Sequence, residues 1–307
     1  MNSKSIFDRR EFLREAGCVC ALGAMGWSGQ QASAAASAAG FKVCAYAEPL
    51  QRLPYDQVAE LVARLGFSGI EATVRGGGQV EPERAEEDLP KLVEALRSRG
   101  LELTMMATDV DRVDREHAET VLRTAASLGI KRYRMRGYQY DLQRAVVDQL
   151  PAFREKLAEL VALNMELGIT ALYQNHSGAS HVGATAWDLH SLVKDLDPSG
   201  IGVAFDISHA TVEGGLSWPV HFNLMRPYMQ IAIVKDFIWL GRSTSKWVPL
   251  GQGRIDPTYF GMLKKSGYQG PIDLHIEYDI SGGDFPKLAE AAYKRDFKLL
   301  REWLDVE

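Results

Sequence analysis

Arg64-Leu65-Gly66-Phe67, Ser98-Arg99-Gly100-Leu101, Ser127-Leu128-Gly129-Ile130 and Glu166-Leu167-Gly168-Ile169 share one pattern: a helical segment, a glycine, then at once an apolar run. The residue just past a helix end often takes positive φ, which costs a Cβ-bearing residue more than glycine. Each join therefore predicts a helix stop followed by a strand. The four glycines recur 34, 29 and 39 residues apart, the length of one strand-plus-helix unit. Apolar spacing of i, i+3, i+4, i+7 marks helices at Val58/Leu61/Val62/Leu65, Leu89/Leu92/Val93/Leu96, Leu189/Leu192/Val193/Leu196 and Phe297/Leu300/Leu301/Leu304. Less regular helical patterns fit 114–128, 148–167, 218–228 and 257–265.

Working outward, eight strand candidates can be counted, at 41–46, 69–73, 101–107, 132–136, 170–175, 202–206, 230–235 and 272–277, each followed by a helical pattern. Such alternation requires right-handed crossovers and a parallel sheet. The α/β class follows, and eight units over 40–307 predict a single-domain (β/α)8 TIM barrel, a fold that typically takes about 250 residues. A doubly wound sheet fits less well. No Gly-x-Gly-x-x-Gly follows the first strand, Gly76-Gly77-Gly78 comes only after the second, and no nucleotide cofactor is expected.

Composition agrees. The 307 residues are 46% hydrophobic and 24% charged, enough to bury a large core and to exclude a disordered chain. A net charge of −5 offers no general basic face for nucleic acid. No apolar run reaches the ~18–20 residues that a bilayer requires, so no stable membrane anchor is expected. The oligomeric state is not legible.

At the N-terminus, Asp8-Arg9-Arg10-Glu11-Phe12-Leu13-Arg14 precedes a short apolar segment from Cys18 to Trp27, with small residues at Ala32-Ser33-Ala34 and Ala36-Ser37-Ala38. This resembles a bacterial twin-arginine signal peptide and implies an exported, periplasmic protein, with 1–39 as signal and spacer. Cys18 and Cys20 would leave with it, so Cys44 stands alone and no intramolecular disulfide is expected.

In such barrels chemistry sits at the carboxyl ends of the strands. Those ends read Tyr46 and Glu48; Glu71 and Arg75; Thr108 and Asp109; Arg134 and Arg136; Gln174 and His176; Asp206 and His209; Lys235 and Asp236; Glu277 and Asp279. Strand alternation puts Gln174 with His176 on one face, and His275, Glu277 and Asp279 on another.

At this point the sequence resembles the xylose-isomerase-like sugar isomerase and epimerase superfamily, which includes tagatose epimerase-like and inosose dehydratase-like enzymes. The carriers are Gly66-Phe67-Ser68-Gly69-Ile70-Glu71, Tyr173-Gln174-Asn175-His176, Phe205-Asp206-Ile207-Ser208-His209-Ala210, Val234-Lys235-Asp236, Pro249-Leu250-Gly251-Gln252-Gly253 and Ile276-Glu277. The resemblance implies a divalent metal held by Glu, Asp, His and Glu from strands five to eight. Two of those carboxylates commonly exchange protons at a sugar carbon beside a carbonyl. The matching positions here are Gln174, Asp206, Ile233 and Glu277, so two of four ligands differ.

Gln174 is neutral and cannot act as a base, and Ile233 supplies no ligand. Two readings stay open. Asp206, His209 and Glu277, helped by His176, hold a manganese, zinc or magnesium ion, or the pocket is metal-free, the preferred reading. The candidate catalytic groups are Glu277 as base, Lys235 and His176. The candidate substrate-binding groups are His209, Gln174, Arg134, Arg136 and Glu71, with a structural Arg134 or Arg136 pair to Glu71 as the competitor. Trp218, Trp239 and Trp247 fall near late loops, where they either stack on a sugar or fill the loop. His181, His190 and His221 are expected at the surface.

The function these residues predict is an isomerase, epimerase or lyase that abstracts a proton next to a carbonyl in a small-molecule carbohydrate. A carbohydrate-binding protein that has lost its metal is the alternative.

Overall fold

The glycine joins stop their helices as expected. In the computed structural model, which describes residues 40–305, α1 (Tyr55–Leu65) ends at Gly66 with φ 87° and α4 (Leu150–Leu167) ends at Gly168 with φ 65°. Gly100 and Gly129 also take positive φ. The segment 1–39, read above as signal peptide and spacer, lies outside the described residues.

The strands that follow these stops are β1 (Val43–Tyr46), β2 (Gly69–Val74), β3 (Glu102–Thr108), β4 (Arg132–Arg134), β5 (Thr170–Gln174), β6 (Ile201–Asp206), β7 (Met229–Val234) and β10 (Ile272–Leu274). They close a barrel in the order β1-β2-β3-β4-β5-β6-β7-β10, every pair parallel, with helices outside. The fold is the single-domain TIM barrel the alternation implies. Inside it, Met105, Leu172, Ala204, Ile231 and Ile233 form a separate apolar cluster below the mouth. The much larger core lies between strands and helices, where amphipathic faces such as Val58, Leu61 and Val62 of α1 are buried.

Two elements depart from the sequence reading. A helix α6 (Ile207–Gly214) starts at the very end of β6, ahead of the expected one, which is α7 (Trp218–Met225). Ser208 to Thr211 carry no helical apolar stripe, so periodicity does not reveal α6; Asp206 starts it, its side chain capping the backbone N–H groups of Ser208 and His209. The second is an antiparallel hairpin, β8 (Asp236–Leu240) with β9 (Thr244–Val248), inserted directly after β7.

Asp236 holds this insertion. Its carboxylate accepts from the backbone N–H of Phe237, Gly251, Gly253, Arg254 and Ile255 at 2.8–3.1 Å. The loop wraps so closely that a Cβ at Gly253 would lie 2.2 Å from Asp236 Oδ1 and 2.3 Å from Phe237 O. That approach accounts for the glycine in Pro249-Leu250-Gly251-Gln252-Gly253.

Asp236→Ala removes the acceptor of five N–H groups around a buried carboxylate, and we expect a loss of about 3 kcal/mol. Thermal unfolding checks this as a fall in Tm of roughly 6–10 °C, with Asp236→Asn intermediate.

Candidate functional site

The carboxyl ends of the strands carry a ring of polar side chains, built two strands at a time. Arg134, ending β4, gives its Nε to Glu71 Oε1 of β2 at 2.6 Å and another N–H to Gln174 Oε1 of β5 at 2.7 Å. The Gln174 amide then donates to Asp206 Oδ2, ending β6, at 2.9 Å. Lys235, just past β7, places Nζ 3.3 Å from Asp206 Oδ2 and 2.8 Å from Glu277 Oε1. His275 Nδ1 lies 3.0 Å from the same Glu277 oxygen, and His275 Nε2 3.0 Å from Glu71 Oε2, closing the circuit. Asp206, Glu71 and His275 are buried, whereas the Glu277 side chain is 24% exposed and opens to the mouth.

Around that opening stand aromatic faces. Trp247, delivered by β9, lies against Lys235 with the ammonium 4.3 Å from the ring centroid. Tyr46, ending β1, stacks on His275 at 4.1 Å and is faced by the Arg134 guanidinium. Its hydroxyl contacts Glu48 and Arg75, which pair with each other. His209 packs against His176 at 3.9 Å, and its Nδ1 is bonded by Ser177. Asn175 grips the Asp206 backbone from both sides, at 2.8 and 2.9 Å, which fixes where the Asp206 carboxylate stands.

The charges follow from this packing. Burial alone would lower the Lys235 ammonium, but the carboxylates of Asp206 and Glu277 outweigh it and raise its pKa above 10.5. Burial would raise Glu277, yet Lys235 and His275 hold it well below the ordinary carboxylate range. Asp206 is lowered in the same way by Lys235 and His209, and Glu71 falls to about 2 through Arg134 and His275. Burial, reinforced by Lys235, pushes His176 down to about 4 and His209 well below 6.5, so both imidazoles are neutral at pH 7.

The ring therefore brings together Glu71, Arg134, Gln174, Asp206, Lys235 and Glu277, with His176 and His209 beside it. Arg136 stays out. Its side chain is 57% exposed and pairs with Asp109 at 3.7 Å, because β4 ends at Arg134 and the alternation of side chains ends with it. Asp279 is exposed as well, two residues past the inward Glu277. His181, His190 and His221 are part-buried instead of lying on the surface; His181 packs on His176 at 4.5 Å. Trp218 is buried against Tyr259, and Trp239 lies half-exposed on the hairpin.

Sequence reasoning missed Asp273. It lies one pleat below His275 and two below Glu277, so the parity that placed those two inward places it inward as well. Glu71, Asp273 and His275 offer ligand atoms within 4.8 Å of one another, a group of the kind that can hold a metal ion.

The family metal position does not fit a metal. Ile233 is embedded in the apolar cluster, Gln174 turns its NH2 toward Asp206, and the Lys235 ammonium fills the space between the two remaining carboxylates. A cation is present there already.

Breaking this arrangement gives a signed pH dependence. Asp206 and Glu277 have folded-state pKa values below their unfolded ones, so their contribution is present above about pH 4.5 and lost as pH falls through the folded values. Lys235→Met removes the ammonium that both buried carboxylates share, a loss of about 3–5 kcal/mol at pH 7. In urea unfolding the gap between variant and wild type should narrow as pH falls from 7 to about 3.5, since the variant's carboxylates then gain from protonation. A gap constant with pH would show that Lys235 is not their counter-ion.

A family model described as xylose isomerase-like TIM barrel matches residues 59–303. Compared with curated proteins, the sequence matches none. Among solved structures, a candidate xylose isomerase from Rhodospirillum rubrum is similar at TM-score 0.69 and 18% identity, over 84% of this chain and 99% of that one. The 3-keto-D-glucoside 4-epimerase of Escherichia coli is similar at TM-score 0.64 and 17% identity, over 85% and 99%. The probable 3-DHS dehydratase involved in petrobactin synthesis from Bacillus anthracis is similar at TM-score 0.65 and 15% identity, over 85% and 98%. At these identities the structures speak for the fold. The family match over most of the chain, on a closed eight-stranded parallel barrel, says more: this chain belongs to the xylose isomerase-like TIM barrel family.

Proposed function

We propose that the chain is an exported sugar-modifying enzyme that removes a proton next to the carbonyl of a keto-sugar or related compound, with Glu277 as the base and Lys235 as the cation that receives the oxyanion. The observation that carries this reading is the position of Lys235 Nζ, between Asp206 and Glu277 at the one part of the ring that opens to the mouth. The names of the solved relatives support the chemistry: one epimerises at the carbon beside a keto group, and another is a dehydratase.

The step follows from the geometry. A substrate carbonyl oxygen entering the mouth accepts a hydrogen bond from Lys235 Nζ. As the ammonium shares its charge with that oxygen, it holds Glu277 less tightly and the basicity of Glu277 rises from its lowered value. Glu277 takes the proton from the adjacent carbon, and the C–H electron pair moves through the new C=C bond onto the carbonyl oxygen. Lys235 then faces the enolate oxygen. Gln174 cannot be a second base, so the geometry favours a one-base outcome. Either Glu277 returns the proton to the former carbonyl carbon while the hydroxyl proton of the enediolate passes to the enolate oxygen, which isomerises the sugar, or a hydroxyl one carbon on leaves as water with that proton while the enolate oxygen reforms the carbonyl, which is elimination. Trp247 supplies an apolar face for the ring of the substrate.

One observation favours binding without turnover: the charges nearest the mouth, Arg134, Asp206, Lys235 and Glu277, already have partners in the structure. Proton exchange separates the two readings. The purified protein, screened with keto-sugars and 3-keto-glycosides in deuterated buffer, should exchange the proton beside the carbonyl. Glu277→Gln should lower that rate by about 10³-fold or more. Thermal stabilisation by a sugar with no exchange would mean binding alone.

Export rests on the Arg9-Arg10 motif. A reporter fused behind residues 1–40 should reach the periplasm of a bacterial host, and Arg9→Lys with Arg10→Lys should retain it in the cytoplasm.

A further inference from the structure

The ring's charges do not balance. Four carboxylates, Glu71, Asp206, Asp273 and Glu277, converge within it, and Glu71, Asp206 and Asp273 are fully buried. Only two permanent cations, Arg134 and Lys235, sit among them. With His275 neutral two positive charges are wanting, and with it protonated one still is, in a place that water does not reach, where buried charge without compensation is costly.

The deficit has a definite position. Both oxygens of Asp273, Glu71 Oε2 and His275 Nε2 are buried and make no directed hydrogen bond. Yet His275 Nε2 lies only 3.0 Å from Glu71 Oε2 and 3.4 Å from Asp273 Oδ2. Donors on a common ion with bonds of ~2.1 Å stand about 3.0–3.4 Å apart at right-angled to tetrahedral geometry. The atoms are near one another because they face one point.

The outward atoms of the same residues are, by contrast, satisfied. Glu71 gives its other oxygen to Arg134 at 2.6 Å. His275 has its other nitrogen 3.0 Å from Glu277. A histidine whose far nitrogen donates to a carboxylate, and a carboxylate whose far oxygen is held by a donor, are the outer supports typical of metal ligands. Inner atoms without partners inside satisfied outer ones make a donor set suited to an ion.

We propose that Glu71, Asp273 and His275 bind one divalent ion of the zinc or manganese class inside the barrel, separate from the position where the family holds its metal. Two carboxylates and an imidazole suit ions of that class. The ion supplies two charges, replacing any second proton on His275, ties β2 to β10, and orients Glu277 through His275. All three ligands are buried, so the ion enters as the barrel closes and exchanges slowly afterwards. His275 is here a positioning residue, and the site stands whether or not the chain turns over a sugar.

The test reads metal directly. The full chain, purified without chelator and dialysed, is analysed for elements, then unfolded in denaturant with EDTA and refolded with zinc alone, manganese alone or neither. The expected result is about one ion per chain after one of the metal refoldings, with a higher Tm than the metal-free product. Asp273→Asn and His275→Gln should each cut retention about tenfold or more, while Asp206→Asn, in the mouth, keeps the ion. Wild-type protein that refolds equally well with and without both metals and retains neither would overturn the proposal, leaving protons as the counter-charge. Retention that survives Asp273→Asn but fails in Asp206→Asn would overturn it too, since the ion would then lie in the mouth. Circular dichroism on each variant separates loss of the ion from loss of the fold, and the wild-type refolding needs no variant at all.

Discussion

One ammonium group fixes the character of this barrel's mouth. Lys235 Nζ stands between Asp206 and Glu277, at 3.3 and 2.8 Å, and everything around it is arranged as if for a small cation. The resemblance noted from sequence expects Glu, Asp, His and Glu about a dication, three negative charges against two positive. Here Gln174, Asp206, Ile233 and Glu277 surround one ammonium, two negative charges against one. The imbalance is the same in both. Exchanging a carboxylate for an amide, an imidazole for a hydrocarbon and a metal for a lysine is therefore one coherent change in electrostatics, not three separate losses.

That lysine depends on its neighbour in sequence. Successive residues at a strand end point to opposite sides, so Lys235 enters the mouth while Asp236 turns away and collects five backbone N–H groups. The loop that Asp236 gathers begins where β9 ends, and β9 carries Trp247 onto the lysine. A structural carboxylate and a site ammonium are thus coupled through one hairpin. Trp247 also limits water around Lys235, which strengthens its attraction to both carboxylates.

The barrel was legible because its signals are local and repeated. Gly66 and Gly168 each stop a helix for a steric reason that acts within a few residues, and eight such units leave few closed topologies. The ring was legible in part because inward residues alternate along a strand: Glu71, Arg134, Gln174, Asp206, Lys235 and Glu277 could all be named from strand ends. What escaped depends on where alternation stops. Arg136 and Asp279 share parity with inward residues but lie two residues past the inward Arg134 and Glu277, where the side chains reach solvent. Asp273 obeys the parity and was passed over because it lies deeper than the mouth. The helix α6 has no periodic signature; a side-chain cap starts it, and the hairpin after β7 is anchored by contacts far apart in sequence.

A fixed ammonium also constrains what the mouth can recognise. A dication grips two oxygens of a sugar at once and holds neighbouring carbons in register between two bases. An ammonium held by two carboxylates has one N–H to spare, enough for a single carbonyl oxygen. Orientation must then come from surfaces: the ring of Trp247, and the neutral imidazoles of His176 and His209, which offer hydrogen bonds without charge. On the proposed chemistry, with Gln174 in place of a second base, a substrate so held has only one face open to proton transfer. The stereochemistry available to this barrel is therefore set by the same substitution that changed its electrostatics.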